Sequence, residues 1–193
     1  MFVNDPNVIA RALAVLRRGG VIVYPTETAY GLGGDWTKQS VHRRIRLLKG
    51  RPTSKQLSVI ISSQAMAEKY VHFSVSAREL AKKYWPGPLS LVVPLKKGKG
   101  TLSIRISPHP IARQLVRKLG RPLIATSANI SGGETLYRAD DVVREFSARK
   151  HKPDLIIDAG ALPKRRPSTI VQVFEDGSCS ILREGPIKIN PKY

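Results

Sequence analysis

The stretch that most constrains the fold is residues 19–34, which read GGVIVYPTETAYGLGG. Its continuous apolar run, residues 21–24, predicts a strand covered on both faces. The strand should end at Pro25, which has no amide hydrogen to donate to a neighbouring strand. The polar segment that follows carries Thr26, Glu27, Thr28 and Tyr30. Because ligands bind beyond the carboxyl ends of strands in open α/β sheets, this segment is a candidate binding loop; the alternative is a glycine-rich connector.

A second polar loop follows another short apolar run. Residues 123–125 predict a buried strand, and residues 126–133 read TSANISGG. This loop resembles the first in its hydroxyl and glycine content. Ser127 and Asn129 are therefore candidate binding residues, and the alternative is that both are ordinary turn residues.

Periodicity and turn signals predict the remaining elements. Helices are expected at residues 8–18, 40–48, 76–84, 111–119 and 140–148, the first preceded by a cap at Asn4 or Asp5 and the third opened by a capping box of Ser76 and Glu79. Strands are expected at residues 57–61, 89–95, 101–107, 155–157, 169–174 and 179–183. Helices combined with both parallel-type strands and hairpins predict an α/β or α+β domain, built on one twisted mixed sheet flanked by helices.

Charge is the strongest signal in the composition. The 193 residues include 33 Lys and Arg against 14 Asp and Glu, a formal net charge of +19. Residues 36–67 and 80–133 contain no acidic side chain at all. Such a field attracts polyanions, whether nucleotide phosphates or RNA. The alternative is a lysine-rich surface that serves solubility.

Length and residue usage limit the class of protein. A chain of 193 residues has room for one sizeable core, so residues 1–193 are expected to form a single domain. No run approaches the ~18 apolar residues that a membrane-spanning helix needs. The N-terminus does not resemble a signal peptide, and Cys179 is the one cysteine. These features favour a soluble, cytoplasmic protein without internal disulfides or a membrane partner.

The side chains available for chemistry are hydroxyls, amides and cations. The sequence has no phosphate-binding GxxxxGKS or GxxxxGKT loop, no GxGxxG after a strand and no GxSxG elbow, and its four histidines lack metal-type spacing. The remaining inventory suits a site that acts by positioning and charge stabilisation. Individually, Lys49 and Arg51 also fit a helix C-terminus, and Arg105 also fits a solvated sheet face.

Six linked motifs together resemble the YrdC-like family of threonylcarbamoyl-AMP synthases. They are PTETAYGLGG at 25–34, KGRP at 49–52, WPGPLSLV at 85–92, SIRIS at 103–107 with a following HP, TSANISG at 126–132, and STIV then ILREG at 168–171 and 181–185. The resemblance covers essentially the whole chain and the length matches the short members. It implies the YrdC-like fold, with a basic concave groove.

The reaction implied by the resemblance is adenylate formation. L-Threonine and bicarbonate form an N-carboxylated threonine, whose new carboxylate attacks the α-phosphate of ATP to give threonylcarbamoyl-AMP and pyrophosphate. The chain would thus be a nucleotidyltransferase, with Mg²⁺ held chiefly by phosphates and water. A separate transferase complex would pass the threonylcarbamoyl group to tRNA, making this the first step of N6-threonylcarbamoyladenosine synthesis.

The resemblance also implies roles for individual residues. The threonine-contacting residues are expected to be Thr28, Arg105, Ser127 and Ser168. The ATP-side residues are expected to be Lys49, Arg51, Lys55, Thr101, Asn129 and Arg183, with Lys49 and Arg51 in the catalytic role. Tyr137 lies near a further family hydroxyl position.

Two positions depart from the family pattern. Many members have Asn-Pro-Leu where this chain has Lys55-Gln56-Leu57, and a histidine where it has Ile60. Lys55 still offers a phosphate-binding cation. The missing histidine leaves one threonine contact without a counterpart.

Two other functions compete with the synthase. The charge of +19 also fits a non-catalytic protein that binds tRNA or double-stranded RNA. A related carbamoyl-transfer domain of hydrogenase-maturation proteins is a third reading, although the zinc-finger and acylphosphatase-like portions that accompany it are not in this sequence. Residues 96–100 and 163–169 are candidate loops for closing over substrates, because they are polar and contain glycine or proline.

Overall fold

Six helices and ten strands occur in the part of the chain that the computed structural model describes, residues 1–53 and 56–189. The helices are α1 (Val8–Arg17), α2 (Gln39–Lys49), α3 (Gln64–Ala67), α4 (Val75–Tyr84), α5 (Pro110–Leu119) and α6 (Ala139–Ser147). The strands are β1 (Ile22–Pro25), β2 (Tyr30–Gly33), β3 (Val59–Ile60), β4 (Leu89–Pro94), β5 (Thr101–Arg105), β6 (Leu123–Ile124), β7 (Thr126–Ser127), β8 (Leu155–Ile156), β9 (Thr169–Val173) and β10 (Cys179–Arg183). Of the helices, α3 was not predicted.

The strands form two mixed sheets rather than the single sheet expected. One has the order β7-β2-β1-β8 and the other the order β10-β9-β4-β5-β3-β6. Strand β1 pairs antiparallel with β2 and parallel with β8, while β4 pairs antiparallel with β5 and parallel with β9. The predicted class, a mixed α/β arrangement with helices around mixed sheets, is confirmed. The basic concave groove stays a prediction.

The glycine-rich half of the first loop is a strand. Residues 30–33 form β2, which returns along β1 and leaves residues 26–29 as the turn between them. Gly33 is required by a close backbone approach, since a Cβ atom there would lie 1.8 Å from the carbonyl oxygen of Ile124 in β6. The expectation of a polar, glycine-rich loop after β1 therefore holds for residues 26–29 and was wrong for residues 30–33, which pair with β1.

The start of α4 also differs from the expectation. Ser74 is the N-cap, with extended backbone, and its hydroxyl accepts a hydrogen bond from the backbone N–H of Ala77 at 3.3 Å. Ser76 lies inside the first turn, so the predicted capping box of Ser76 and Glu79 was wrong. Likewise α1 begins at Val8 with Asn7 as N-cap, later than the predicted cap.

Two apolar clusters hold the elements together. Val21 and Val23 pack in a cluster with residues of α2, β4 and β5, whereas Ile22 and Tyr24 pack in a second cluster with residues of α1 and α5. All four side chains are fully buried, which confirms the prediction that this strand is covered on both faces. The longest of the described helices has 11 residues, and none in residues 1–53 and 56–189 could cross a bilayer.

Candidate active site

A cavity of about 410 Å³ opens where the β1–β2 turn, β7 and the faces of β4, β5 and β9 meet. Six of the predicted site residues line it: Thr28, Arg51, Arg105, Ser127, Ser168 and Arg183. Tyr137 lines it as well. Residues from five separate motifs thus converge on one polar, cation-bearing space.

Alternation along the strands builds the floor of this cavity. Ser90 and Val92 project into it from β4, and Ser103 and Arg105 project from β5. The residues between them face the apolar core, as expected from the period of two in a strand. The hydroxyls of Ser58 and Ser103 lie 3.0 Å apart across neighbouring segments. Ser90 and Ser58 were not predicted, although a serine inside the apolar run of β4 was a usable signal.

Arg105 is held by a buried ion pair. Its Nη1 donates to Glu27 Oε1, and the hydroxyl of Ser107 donates to Glu27 Oε2. The side chains of Arg105 and Glu27 are 9% and 7% exposed. Burial lowers the pKa of Arg105 to about 10, so the guanidinium remains protonated at neutral pH. A buried cation that borders a cavity is well placed to bind a carboxylate.

Ser168 and Arg183 form a second polar contact on the same wall. Arg183 donates from Nε to the carbonyl oxygen of Ser168 at 3.0 Å and from Nη2 to its hydroxyl at 3.1 Å. The hydroxyls of Ser90 and Ser168 are 3.0 Å apart. Burial also lowers the pKa of Arg183. The β9–β10 hairpin therefore brings Ser168, which directly precedes β9, and Arg183, the last residue of β10, to the cavity together.

Arg51 lies at the cavity just after α2 ends. Gly50 adopts a left-handed conformation, with φ of 59°, and stops the helix. Arg51 donates from Nη2 to the carbonyl oxygen of Gln56 at 2.9 Å, and its buried Nε has no hydrogen-bond partner among the described residues. Burial, followed by the charge of Arg46, lowers its pKa. Arg51 thus has donor capacity available for an anion.

Lys49 holds the second polar loop in place. Its ammonium donates to the carbonyl oxygens of Ser127 and Asn129, and its own carbonyl oxygen accepts from Ser131 N–H at 2.8 Å. Within the loop the Ser127 hydroxyl donates to Asn129 Oδ1, and Asn129 Nδ2 donates to the carbonyl oxygen of Gly133 at 2.6 Å. Lys49 and Asn129 therefore shape the loop that presents Ser127 and do not themselves line the cavity.

The environment of Lys49 is unusual for a lysine. The residue is 1% exposed. Burial, with the neighbouring charge of Arg51, lowers its pKa from 10.5 to about 8, against an opposing effect of Glu145. The resemblance implied a catalytic role for Lys49, and that role stays a prediction.

Thr101 and Ile60 are described by the structure and do not line the cavity, each for a different reason. The Thr101 hydroxyl lies 3.0 Å from Gln56 Nε2, and Gln56 lines the cavity, so Thr101 is one contact removed from it. Lys55 lies outside the described residues. Ile60 is fully buried in the second apolar cluster and is not among the described residues that line the cavity. Where many family members have a histidine, this chain therefore has an isoleucine that packs in the core.

The cavity carries cations without matching acids. Among the described residues that line it there is no aspartate or glutamate, and Glu27 lies behind Arg105. The described residues also contain no cluster of three or more His, Cys, Asp or Glu side chains that could hold a metal ion. This donor set suits a ligand that brings its own negative charge, together with any cation bound to it.

Sequence comparisons match the chain to a known family over most of its length. The family model Sua5_yciO_yrdC, described as "Telomere recombination", matches residues 14–185. The threonylcarbamoyl-AMP synthase of Psychromonas ingrahamii is 37% identical over 183 residues, which cover 89% of this chain and 94% of that relative.

Solved structures agree with these matches. Pyrococcus abyssi Sua5 complexed with L-threonine is 34% identical, with a TM-score of 0.84 over 92% of this chain and 54% of that one. Escherichia coli YciO is 26% identical, with a TM-score of 0.86 over 99% of this chain and 96% of that one.

Proposed function

Because the chain belongs to the Sua5/YciO/YrdC family, we propose that it is a threonylcarbamoyl-AMP synthase using L-threonine, bicarbonate and ATP. The observation that carries the proposal is the convergence of Arg51, Arg105 and Arg183 on one cavity edged by hydroxyls. Such a cavity matches an amino-acid carboxylate and a triphosphate, which both carry negative charge.

The proposed reaction has two steps. The amine of threonine attacks the carbon of bicarbonate, and water leaves, which gives a carbamate. A carbamate oxygen then attacks the α-phosphorus of ATP, and pyrophosphate leaves with the electrons of the broken P–O bond. Mg²⁺ would be held chiefly by the phosphates of ATP and by water, because the described cavity lining has no acid to hold a metal. The chain would then be a nucleotidyltransferase.

The arginines divide between the two substrates. Arg105 binds the threonine carboxylate, with Thr28, Ser127 and Ser168 as hydroxyl partners. Arg51 and Arg183 offset the charge on the transferring phosphoryl group and the departing pyrophosphate. The family resemblance adds Lys55 and Thr101 to the ATP side. The resemblance also assigns Lys49 and Asn129 to the ATP side, but their hydrogen bonds hold the loop that presents Ser127, so we propose that they act by positioning that loop.

The test is pyrophosphate release from Mg²⁺ and ATP with bicarbonate, measured with L-threonine, with L-serine and with neither. Release that depends on threonine is expected. Arg51→Ala and Arg105→Ala should each lower it about 100-fold, because Arg51→Ala removes a cation from the reacting phosphoryl group and Arg105→Ala removes the partner of the threonine carboxylate. Arg113→Ala, on the exposed side of α5, is the matched control. Full activity in the Arg51→Ala/Arg105→Ala double variant would refute the site.

The product places the chain before a group-transfer enzyme. Threonylcarbamoyl-AMP is an activated acyl donor, so a transferase complex acting on tRNA would consume it to make N6-threonylcarbamoyladenosine. We expect this to occur in the cytoplasm, where ATP and tRNA are found together.

Direct binding of tRNA or double-stranded RNA is a second candidate function. The observation that favours it is the run of residues 80–133, which contains ten basic and no acidic side chains, many of them exposed. RNA binding that weakens steeply with salt and is not displaced by ATP would support it. Binding that does not change with salt would count against it.

A further inference from the structure

Glu27 is a buried carboxylate next to the cavity that has no role in the proposed reaction. It does not line the cavity, yet its two oxygens are both occupied: one accepts from Arg105 and the other from Ser107. Ser107 is in turn anchored, since its hydroxyl accepts from the backbone N–H of His109 at 3.2 Å. His109 is the N-cap of α5. A continuous chain of hydrogen bonds therefore runs from the start of a helix to the guanidinium of Arg105.

The turn that carries Glu27 is equally well defined. The hydroxyl of Thr26 accepts from the backbone N–H groups of Thr28 and Ala29, both at 3.3 Å, and donates to the carbonyl oxygen of Ala29 at 2.7 Å. This turn directs Thr28 into the cavity and leaves Glu27 behind Arg105. One local structure thus places a substrate-facing hydroxyl and the carboxylate that supports the arginine.

We propose that Glu27 is the positioning residue for Arg105 and that it sets the affinity of the site for the carboxylate of the amino-acid substrate. This inference rests on the proposed function. An arginine side chain has several rotatable bonds, and fixing it in advance lowers the entropy lost on binding. The guanidinium has more N–H donors than Glu27 uses, so donors remain for an incoming carboxylate. Without Glu27 the buried cation would be left uncompensated and free to turn away.

The role predicts a separation between the two substrates. Among the described residues that line the cavity, Arg105 is the only one that forms an ion pair with Glu27. Arg105 belongs to the threonine side of the proposed site. The loss of Glu27 should therefore weaken the binding of threonine and leave the binding of ATP largely unaffected. A merely structural role would disturb both substrates alike, because collapse of the cavity would displace Arg51 and Arg183 as well.

The experiment compares Glu27→Ala and Glu27→Gln with the wild type. The glutamine variant keeps an oxygen acceptor and guards against loss of folding in the alanine variant. Glu68→Gln is the matched control, because it breaks a Glu–Arg pair with Arg78 on the exposed surface. The measurements are the KM for L-threonine in pyrophosphate release and the Kd for Mg²⁺ and ATP by calorimetry.

We expect the KM for threonine to rise about tenfold or more in Glu27→Ala and less in Glu27→Gln, with the Kd for ATP changed by less than about twofold. An unchanged KM in both variants would overturn the positioning role, and so would an equal loss of ATP affinity. These results require an active wild type. If the wild type releases no pyrophosphate with threonine, the proposed function itself is overturned.

Discussion

The buried ammonium of Lys49 makes a prediction about stability that is independent of catalysis. The pKa of Lys49 is about 8 in the folded protein, whereas the ordinary value of 10.5 applies to the unfolded chain. The unfolded chain therefore binds this proton more tightly. Stability therefore rises with pH wherever the unfolded state holds more protons than the folded state. Below about pH 8 the charged lysine costs about 3 kcal/mol relative to an unshifted one. That cost is relieved progressively between the two pKa values.

The perturbation is Lys49→Met, which removes the titrating group and keeps a side chain of similar length. Urea unfolding of the wild type and the variant at about pH 7 and about pH 9.5 gives the difference in unfolding free energy at each pH. The difference, wild type minus variant, should rise by about 2 kcal/mol between these pH values. At any single pH this difference also includes the cost of leaving two carbonyl groups without a donor in the variant. Comparing two pH values cancels that cost, because it does not depend on pH.

Lys97→Met, in the exposed connection after β4, is the control for exchanging a lysine for methionine. A wild-type-minus-Lys49→Met difference that stays constant or falls with pH would refute the reasoning. It would show that the hydrogen bonds to Ser127 and Asn129 outweigh the burial of the charge.

Two structural predictions test details of the fold. Gly33→Ala should destabilise the protein by at least about 2 kcal/mol in urea unfolding, because the new Cβ would meet the carbonyl oxygen of Ile124. Gly31→Ala in the same strand should cost less, since its nearest neighbour is a side-chain methyl group at 3.3 Å, and equal losses would contradict the close approach. Ser74→Ala should cost about 1 kcal/mol through loss of the N-cap. Ser76→Ala should cost much less. A lower thermal stability for Ser76→Ala than for Ser74→Ala would instead support the capping box of Ser76 and Glu79.

The sequence predicted the elements that depend on local patterns. Periodicity located α2, α5 and α6 to within a residue or two, and glycine ended α5 at Gly120 in the left-handed conformation. The apolar run at β1 correctly indicated burial on both faces. Strand β2 was missed because its glycines are typical of loops, whereas the structure requires glycine at Gly33 because the backbone of β6 lies against it.

The sequence also supplied the chemistry of the site. Linked motifs brought together Thr28, Arg51, Arg105, Ser127 and Ser168, and the structure finds them around one cavity. Their assigned roles in binding threonine and ATP stay predictions. Each of these residues lies at or within three residues of the end of a strand or helix, where a short motif is enough to locate it.

What the tertiary structure decided is how these charges are compensated. Glu27 and Arg105 are 78 positions apart, and so are Lys49 and Ser127. No local pattern encodes such pairs, because they exist only once distant strands and loops have become neighbours in the two sheets. The sequence by itself determined which groups were available. The fold determined that Arg105 borders the cavity while paired with the carboxylate of Glu27, and that the ammonium of Lys49 is bonded to loop carbonyl groups, because burial in a packed interior requires each polar group to find a partner.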